Sequence, residues 1–337
     1  MNVWTRREFC AAVAAQFALA RRLFGAESGG DGIPRRPFGR HKDVQVSIIA
    51  LGGFDIGRND EATAVNVMHA ALDAGINFFD NCWEYHGGRS EEYMGRALEG
   101  GRRDRVFLMT KVCGRTYEDA MSNLDDSLRR LRTDRIDLWL FHGIRWNDDP
   151  DLIFDERRGA VRAALEARKA GKVRYIGFSG HKDPSFHRAM LDRTARPGAP
   201  LEWDAVLMPL NIVDPHYHSF QLEILPVVVE RGIAALGMKA LASQNGRIPR
   251  ELGISAQICR RYVLSLPVTS LVCGIVTMDN LWQDVAIAKQ FKPMTAEEME
   301  KIIARTAEVG ATGRIEPYKT GDYGCSVHRR KYGLPVQ

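Results

Sequence analysis

The nine residues from Gly171 to Ser179, Gly-Lys-Val-Arg-Tyr-Ile-Gly-Phe-Ser, contain the pattern that decides the fold. They follow a helical stretch, Ala160–Ala170, and Gly171 stands where a helix C-terminal cap is expected. From Val173 onward, β-branched, aromatic and apolar residues predict a buried strand that ends at Ser179. The stretch is therefore one helix-to-strand step of an alternating α/β chain.

The same step recurs along most of the chain. Amphipathic segments with the helical period, such as residues 117–131, separate the predicted strands. The strands begin roughly 30 residues apart, which is the length of one βα unit. The eight predicted strands are Ile48–Gly52, Asn77–Asn81, Val106–Val112, Ile136–His142, Val173–Ser179, Ala205–Leu210, Ile233–Met238 and Ser270–Val276.

Eight parallel strands with intervening helices predict a single (β/α)8 barrel, here over residues 37–310. A doubly wound sheet is the alternative, but the chain contains neither a G-x-G-x-x-G nor a P-loop motif. Residues Pro37–Ile48 are predicted to form a hairpin over the bottom of the barrel. An extra helix is expected at Thr295–Val309, opened by a capping box, and residues 311–337 form a C-terminal tail.

Composition excludes several classes of protein. The 337 residues are 45% apolar and 26% charged, which is ordinary globular composition and excludes a disordered or disulfide-stapled chain. The net charge is +5 without a dense basic run, so no nucleic-acid partner is expected. The 6 cysteines include no C-x-x-C pair. Free thiols are therefore expected, and a disulfide between Cys82 and Cys113, on neighbouring strands, is disfavoured by the strict geometry that it needs.

The first 27 residues have the pattern of an export signal. Thr5, Arg6, Arg7 and Phe9 precede a short, weakly apolar segment, and this arrangement resembles a twin-arginine signal. The apolar segment is too short to span a bilayer, so no integral membrane span is expected. The resemblance implies a chain that the twin-arginine export machinery carries to the periplasm. The alternative is an N-terminal amphipathic helix on a cytoplasmic protein.

Four polar residues follow or end neighbouring predicted strands: Asp80, Tyr85, Lys111 and His142. In such barrels the reactive groups project from the carboxyl ends of the strands, so these side chains should surround one point. A lysine beside a tyrosine hydroxyl favours the phenolate and is expected to lower the tyrosine pKa. An acid, a phenol, an ammonium and an imidazole suit proton transfer to or from a carbonyl/alcohol pair.

The order and spacing of these four residues resemble the catalytic tetrad of the aldo-keto reductases. The resemblance runs from about Val46 to Lys289 and includes residues 74–80, 88–95, 137–142 and 171–179. It implies a barrel that uses NADP or NAD to interconvert a small-molecule carbonyl and alcohol. In this role Tyr85 is the general acid or base, Lys111 and Asp80 tune it, and His142 orients the substrate oxygen.

The cofactor positions match the family less well. Gly180 replaces an asparagine, and Met238-Lys-Ala-Leu241 replaces the family's Tyr-Ser-Pro-Leu. No Arg or Lys lies in residues 274–284, where many members bind the 2′-phosphate of NADP, so the preference between NADP and NAD stays open. The resemblance implies cofactor contacts at Ser179, Asn211, Met238, Lys239, Leu241 and Gly274.

Aromatic residues near the strand ends, Phe54, Trp83 and Trp146, predict an aromatic-walled substrate pocket. No metal ligand is assigned, although loop histidines at positions 86, 181, 216 and 218 lie at the same end of the barrel. Two alternatives remain beside the oxidoreductase. One is a binding or regulatory module on the same barrel, favoured by the weak cofactor motifs, and the other is a metal-assisted hydrolase, favoured only by the histidines.

Overall fold

The computed structural model describes residues 15–16, 18–20, 22–23, 32–242, 246–321 and 326–336. It begins with an antiparallel hairpin of β1, Arg35–Phe38, and β2, His41–Ser47. Eight parallel strands then close into a barrel in the order β10-β3-β4-β5-β6-β7-β8-β9. These strands are β3 Ile49–Gly52, β4 Phe78–Asp80, β5 Phe107–Val112, β6 Ile136–Phe141, β7 Val173–Ser179, β8 Ala205–Pro209, β9 Ala234–Met238 and β10 Ser270–Gly274.

The barrel, the hairpin and the extra helix are confirmed. Each observed barrel strand lies within its predicted range. The predicted capping box is also present, because the Thr295 hydroxyl accepts from the Glu298 amide while the Glu298 carboxylate accepts from the Thr295 amide. This pairing satisfies two amides that the first helical turn leaves without partners.

The hairpin closes the amino-terminal end of the barrel. Phe38 is fully buried, and its ring centroid lies 4.8 Å from that of Phe107 and 5.2 Å from that of Tyr175. Phe107 begins β5, so this cluster marks the end of the barrel opposite the carboxyl ends of the strands. The bottom is therefore sealed by packing, and the other end is left for chemistry.

Helices surround the barrel and connect successive strands. The α-helices are α1 Gly53–Ile56, α2 Glu61–Asp73, α3 Arg89–Ala97, α4 Tyr117–Arg130, α5 Asp149–Ile153, α6 Ala160–Lys169, α7 Pro184–Thr194, α8 Phe220–Glu223, α9 Leu225–Glu230, α10 Arg247–Leu252, α11 Ala256–Leu264, α12 Met278–Lys289, α13 Ala296–Gly310, α14 Pro317–Thr320 and α15 Val327–Lys331. Short 3₁₀ helices lie at Tyr85–Gly88, Arg102–Arg105 and Asp214–His216.

The C-terminal tail contacts segments that follow the carboxyl ends of the strands. Arg329 donates to Asp148 at 2.6 Å, and the Tyr332 hydroxyl donates to Asp119 at 2.8 Å. Both acids follow barrel strands in the chain, which places the tail beside the mouth of the barrel.

The twin-arginine motif at residues 5–9 lies outside the described residues, and the export signal stays a prediction. Gln16, which is described, donates to the backbone oxygen of Gln221 at 2.8 Å. Within the described part of the chain, no helix combines the length and the apolar character that crossing a membrane requires.

Candidate active site

The buried ammonium group of Lys111 connects three of the four predicted catalytic residues. Its Nζ donates to the Asp80 carboxylate, to the Asn81 carbonyl at 2.7 Å and to the Tyr85 hydroxyl at 3.2 Å. Lys111 is 1% exposed. An ammonium group has three hydrogens, so all of them are engaged and the position of Nζ is fixed.

Tyr85 lies in the 3₁₀ turn after β4, and the environment opposes ionisation of its hydroxyl. Burial raises the pKa of Tyr85 well above its usual value, and the negative charges of Asp80 and Glu84 raise it further. Burial and these negative charges therefore outweigh the lowering that is expected from Lys111, and the net direction of the Tyr85 pKa is upward. The lysine charge is already compensated by Asp80, while burial acts on the phenolate without compensation. The group at this position is a neutral phenol that can donate a proton.

His142 directly follows β6, and one nitrogen of its ring faces two partners. Its Nδ1 lies 3.0 Å from Glu84 Oε1 and 3.2 Å from Cys82 Sγ. The ring packs edge-on to that of Tyr85, with centroids 5.8 Å apart. Burial alone would raise the pKa of Glu84, but the hydrogen bond and charge of His142 outweigh it and lower that pKa. Glu84 is therefore a carboxylate that orients the imidazole.

The buried side chain of Arg115 fixes the backbone of His142. Its Nη2 donates to the carbonyl oxygen of His142 at 2.7 Å, and its Nε donates to Asp149 at 2.9 Å. The Arg115 charge also lowers the pKa of Asp149, although burial of that carboxyl acts in the opposite direction. The sequence analysis assigned no role to Glu84 or Arg115. A charged residue three positions after a buried strand, as Arg115 is after β5, is the signal that could have marked Arg115.

A cavity of about 960 Å³ opens at the carboxyl ends of the strands. This volume is at the upper end of the range for cofactor and small-molecule sites. All four tetrad residues line the cavity, and so do five of the six predicted cofactor contacts: Ser179, Met238, Lys239, Leu241 and Gly274.

Lys239 gives the cavity a positive charge that forms no ion pair among the described residues, although the charges of Asp55 and Asp80 act on it from further away. Its backbone is left-handed, with φ of 62°, a conformation that a lysine adopts only when its surroundings require it. Burial lowers the pKa of Lys239, and the nearby charge of Lys111 acts in the same direction. Among the described residues, no carboxylate forms an ion pair with its Nζ. The cavity is therefore suited to an anionic ligand.

Asn211, the sixth predicted cofactor contact, does not line the cavity. Its side-chain amide donates to Glu316 at 2.8 Å and to the Tyr318 hydroxyl at 3.0 Å. Its oxygen accepts from the amides of Val213 and Asp214 at 2.8 and 2.9 Å. The Asn211 side chain therefore contacts the C-terminal tail, and its role as a cofactor contact stays a prediction.

Of the three residues predicted to form an aromatic wall, Phe54 is the one that lines the cavity. Phe54 lines the cavity, and its ring packs edge-on to Tyr85 at 5.2 Å. Trp83 and Trp146 are not among the lining residues. The Trp83 ring lies under the Arg130 guanidinium, and its Nε1 donates to Asp126 at 3.1 Å. Trp146 lies between the guanidinium groups of Arg145 and Arg329, at 4.7 and 4.5 Å. Both indole rings thus pack against arginine side chains.

The four loop histidines do not gather into one cluster in the described part of the chain. His86 contacts the Phe54 carbonyl at 2.7 Å, His216 contacts the Thr306 hydroxyl at 3.2 Å, and His218 contacts Asp183 at 2.6 Å. Two of the four, His86 and His181, line the cavity beside the tetrad. The histidine pattern therefore offers no support for the metal-assisted hydrolase.

The cysteines next to the tetrad are not bonded to each other. Cys82 is a free, buried thiol, whereas Cys113 is disulfide-bonded. This agrees with the expectation against a Cys82–Cys113 bridge. The expectation of free thiols is wrong for Cys113.

A closed parallel barrel with an acid, a phenol, an ammonium and an imidazole at adjacent strand ends defines a class of (β/α)8 protein with a polar site at the mouth. The sequence model of the Aldo/keto reductase family matches residues 48–251. The chain belongs to this family.

Individual relatives agree with this membership. The chain is 33% identical over 202 residues to aldo-keto reductase YhdN of Bacillus subtilis, a match that covers 56% of this chain and 54% of that protein. It is 36% identical over 156 residues to the 6-dehydroglucose reductase of Novosphingobium aromaticivorans, with coverage of 41% and 49%. These matches span about half the length of the curated relatives.

A solved structure extends the likeness to the whole barrel. Aldo-keto reductase AKR11C1 from Bacillus halodurans, in its holo form, superposes with a TM-score of 0.66 at 26% identity. That match covers 81% of this chain and 96% of the other.

Proposed function

We propose that the protein is an oxidoreductase that interconverts a small-molecule carbonyl and an alcohol with NADP or NAD, and that Tyr85 is its general acid/base. The observation that carries this proposal is the hydrogen-bond set of Lys111. Because Lys111 donates to the Tyr85 oxygen, the hydroxyl hydrogen of Tyr85 is left to donate to another acceptor. Tyr85 lines the cavity, where a substrate oxygen can be that acceptor.

The residues present fit a nicotinamide dinucleotide. The pyrophosphate of such a cofactor is an anion, and Lys239 offers an ammonium group without a protein counter-ion among the described residues. Met238 supplies a polarisable side chain that can pack on an aromatic ring, and Ser179 a hydroxyl that can bond an amide. Arg250 and Arg58 also line the cavity, so basic side chains from outside residues 274–284 are available for a phosphate group.

The bound dinucleotide supplies or accepts the hydride. The chain's own residues transfer the proton and bind the substrate oxygen. Tyr85 donates its proton to the carbonyl oxygen in the direction of reduction, and its raised pKa means that the hydroxyl is protonated before the reaction. Lys111 fixes the position of the Tyr85 oxygen, and Asp80 compensates the lysine charge. His142, oriented through its backbone by Arg115 and through Nδ1 by Glu84, supplies the second contact to the substrate oxygen.

The replacement Tyr85→Phe tests the proposal. It removes the proton donor while keeping the ring that packs against Phe54. With NADH or NADPH and a panel of aldehydes and ketones, we expect cofactor absorbance to fall in wild type and kcat to be about 10²- to 10⁴-fold lower in the variant. Binding of the dinucleotide, followed by fluorescence titration, should be retained.

Tyr117→Phe is the matched control. The Tyr117 hydroxyl donates to Glu166 at 2.9 Å on an exposed face of the protein. This variant should therefore turn over like wild type. A Tyr85→Phe enzyme as fast as the Tyr117→Phe enzyme would remove Tyr85 from the mechanism. Absence of binding of either dinucleotide would overturn the whole proposal and favour a binding module.

A further inference from the structure

Behind the tetrad lies a second group of side chains that the proposed reaction uses only in part. It consists of Cys82, Glu84, Cys113 and His142, and its four ligand-type atoms all lie within 4.8 Å of one another. His142 Nδ1 is the centre of the group, 3.0 Å from Glu84 Oε1, 3.2 Å from Cys82 Sγ and 3.8 Å from Cys113 Sγ. The two cysteines are buried, and neither takes part in proton transfer to a substrate.

The ligand types and their separations suit a borderline-soft divalent cation. Zinc binds thiolate sulfur at about 2.3 Å and imidazole nitrogen at about 2.0–2.1 Å, so tetrahedral ligands lie about 3.3–3.8 Å apart. The three contacts of Nδ1 match this spacing to within a few tenths of an ångström. Sulfur, imidazole and a single carboxylate are also the donors that select zinc-like ions over magnesium or calcium.

The oxidation state of Cys113 decides how many of these ligands are available. Cys113 is disulfide-bonded, and a disulfide sulfur is a poor ligand compared with a thiolate. A dithiol reductant supplies two electrons and two protons that open this bond into two thiols. When a metal ion then binds, Cys82 and Cys113 each release one proton and form one sulfur–metal bond.

We propose that the reduced chain binds one zinc-type divalent cation through Cys82, Glu84, Cys113 and His142 Nδ1. The ion replaces the Nδ1 hydrogen and thereby leaves the other ring nitrogen, Nε2, as the protonated one. His142 also lines the cavity, so the metal sets the tautomer of the imidazole that serves the substrate. The site is a structural support for the tetrad rather than a centre of hydrolysis.

Cobalt titration of the full-length protein, reduced with a dithiol and then freed of reductant under nitrogen, tests the proposal. We expect one equivalent of Co²⁺ to bind, with a near-ultraviolet thiolate-to-cobalt band and visible bands of tetrahedral intensity, and Zn²⁺ to displace it. Untreated protein, with the Cys113 disulfide intact, should bind at least about tenfold more weakly. This readout is independent of turnover, so it stands apart from the test of the proposed reaction.

Two variants and one control locate the site. Cys82→Ser should reduce the thiolate band to about half, because Cys113 is then the one thiolate left, or weaken binding about 100-fold. Glu84→Gln, at a partly exposed position, should weaken binding while keeping the full band. Cys259→Ser is the control, because Cys259 is also a free, buried cysteine but lies in α11. No stoichiometric binding by the reduced protein, or binding that Cys82→Ser leaves unchanged, overturns the proposal.

Discussion

Two buried lysines, Lys111 and Lys319, each contact three oxygen atoms of other residues. Lys111 lines the cavity, whereas Lys319 does not. Lys111 donates to one carboxylate, one backbone carbonyl and one phenol. Lys319 donates to Asp214 and to the Tyr217 carbonyl and forms an ion pair with Glu316, with each distance at 2.7 Å. The side chain of Lys319 is 0% exposed, and it does not line the cavity.

The difference lies in the charge balance and in access. Burial alone would lower the pKa of Lys319, but the two carboxylates outweigh it and raise that pKa. This second ammonium group joins the loop after β8 to α14 in the tail, since Asp214 precedes α8 and Glu316 precedes α14. A buried lysine–carboxylate pair is therefore not by itself the mark of a reactive site. An acceptor that is open to a cavity, here the Tyr85 hydroxyl, distinguishes the first lysine from the second.

The largest effect is expected when the reactive lysine loses its charge. In Lys111→Met the Tyr85 oxygen loses its donor and Asp80 loses its counter-charge, so kcat should fall about 10²- to 10⁴-fold. Steady-state kinetics with NADH and NADPH measures this loss, with circular dichroism as a check on the folded fraction. A variant within about threefold of wild type would show that the two lysines do not differ in function.

Lys319→Met is the matched change at the other lysine and should affect stability instead. It leaves Asp214 and Glu316 buried without their cation, a loss that typically costs about 3–5 kcal/mol. Denaturant unfolding measures this cost, and kcat per folded molecule should stay within about threefold. If Lys319→Met instead lowered kcat as far as Lys111→Met, the separation of roles would be wrong.

The fold and the tetrad were predictable because their signals are local. Each strand and helix has its own periodicity, and the carboxyl ends of adjacent parallel strands meet at one edge whatever the loops do. Asp80 ends β4, His142 follows β6 and Lys111 is the penultimate residue of β5, so their convergence follows from register alone.

The remaining features depend on contacts between distant residues. Asn211 is occupied by Glu316, 105 residues further along the chain, and no local pattern announces that pairing. The pKa of Tyr85 depends on how deeply it is buried and on the negative charges of Asp80 and Glu84 around it. Trp83 and Trp146 follow strands as expected, but their orientation is set by arginines from other elements, Arg130 and Arg329. Sequence position predicts which backbone reaches the mouth, and long-range charge decides which side chain enters the cavity.

The buried side chain of His187 extends the comparison to a group that has no counter-charge within hydrogen-bond distance among the described residues. His187 is fully buried between Phe178 and Phe220, and burial lowers its pKa to about 4 despite a contact with the Leu207 carbonyl. Its pKa is lower in the folded chain than in the unfolded chain, so only the unfolded chain takes up this proton as pH falls from 6.5 towards 4. Stability should fall over that range by about 3 kcal/mol on account of this residue.

His187→Gln isolates this contribution, because it removes the titrating group and leaves every other histidine in place. Denaturant unfolding at pH 7 and at pH 4.5 should show a smaller stability loss on acidification in the variant than in wild type. Equal losses in the two proteins would mean that the site does not hold a neutral imidazole. A buried group compensated by carboxylates, such as Lys319, should show no such dependence over the same range.

The smallest effects are expected at two aromatic residues, Phe54, which lines the cavity, and Trp83, which does not. Phe54→Ala removes the edge-on contact with Tyr85 and opens the cavity wall, so the KM for a carbonyl substrate should rise several-fold. Trp83→Phe should leave that KM unchanged and cost about 1 kcal/mol of stability, because only the hydrogen bond to Asp126 is lost. Steady-state kinetics and denaturant unfolding on both variants check the pair.

If Trp83→Phe changed KM as much as Phe54→Ala, the indole would contact the substrate, and the aromatic wall predicted from the sequence would be restored. If neither changed it, recognition would rest on the polar residues alone, and Lys239 and His181 would be the next side chains to replace.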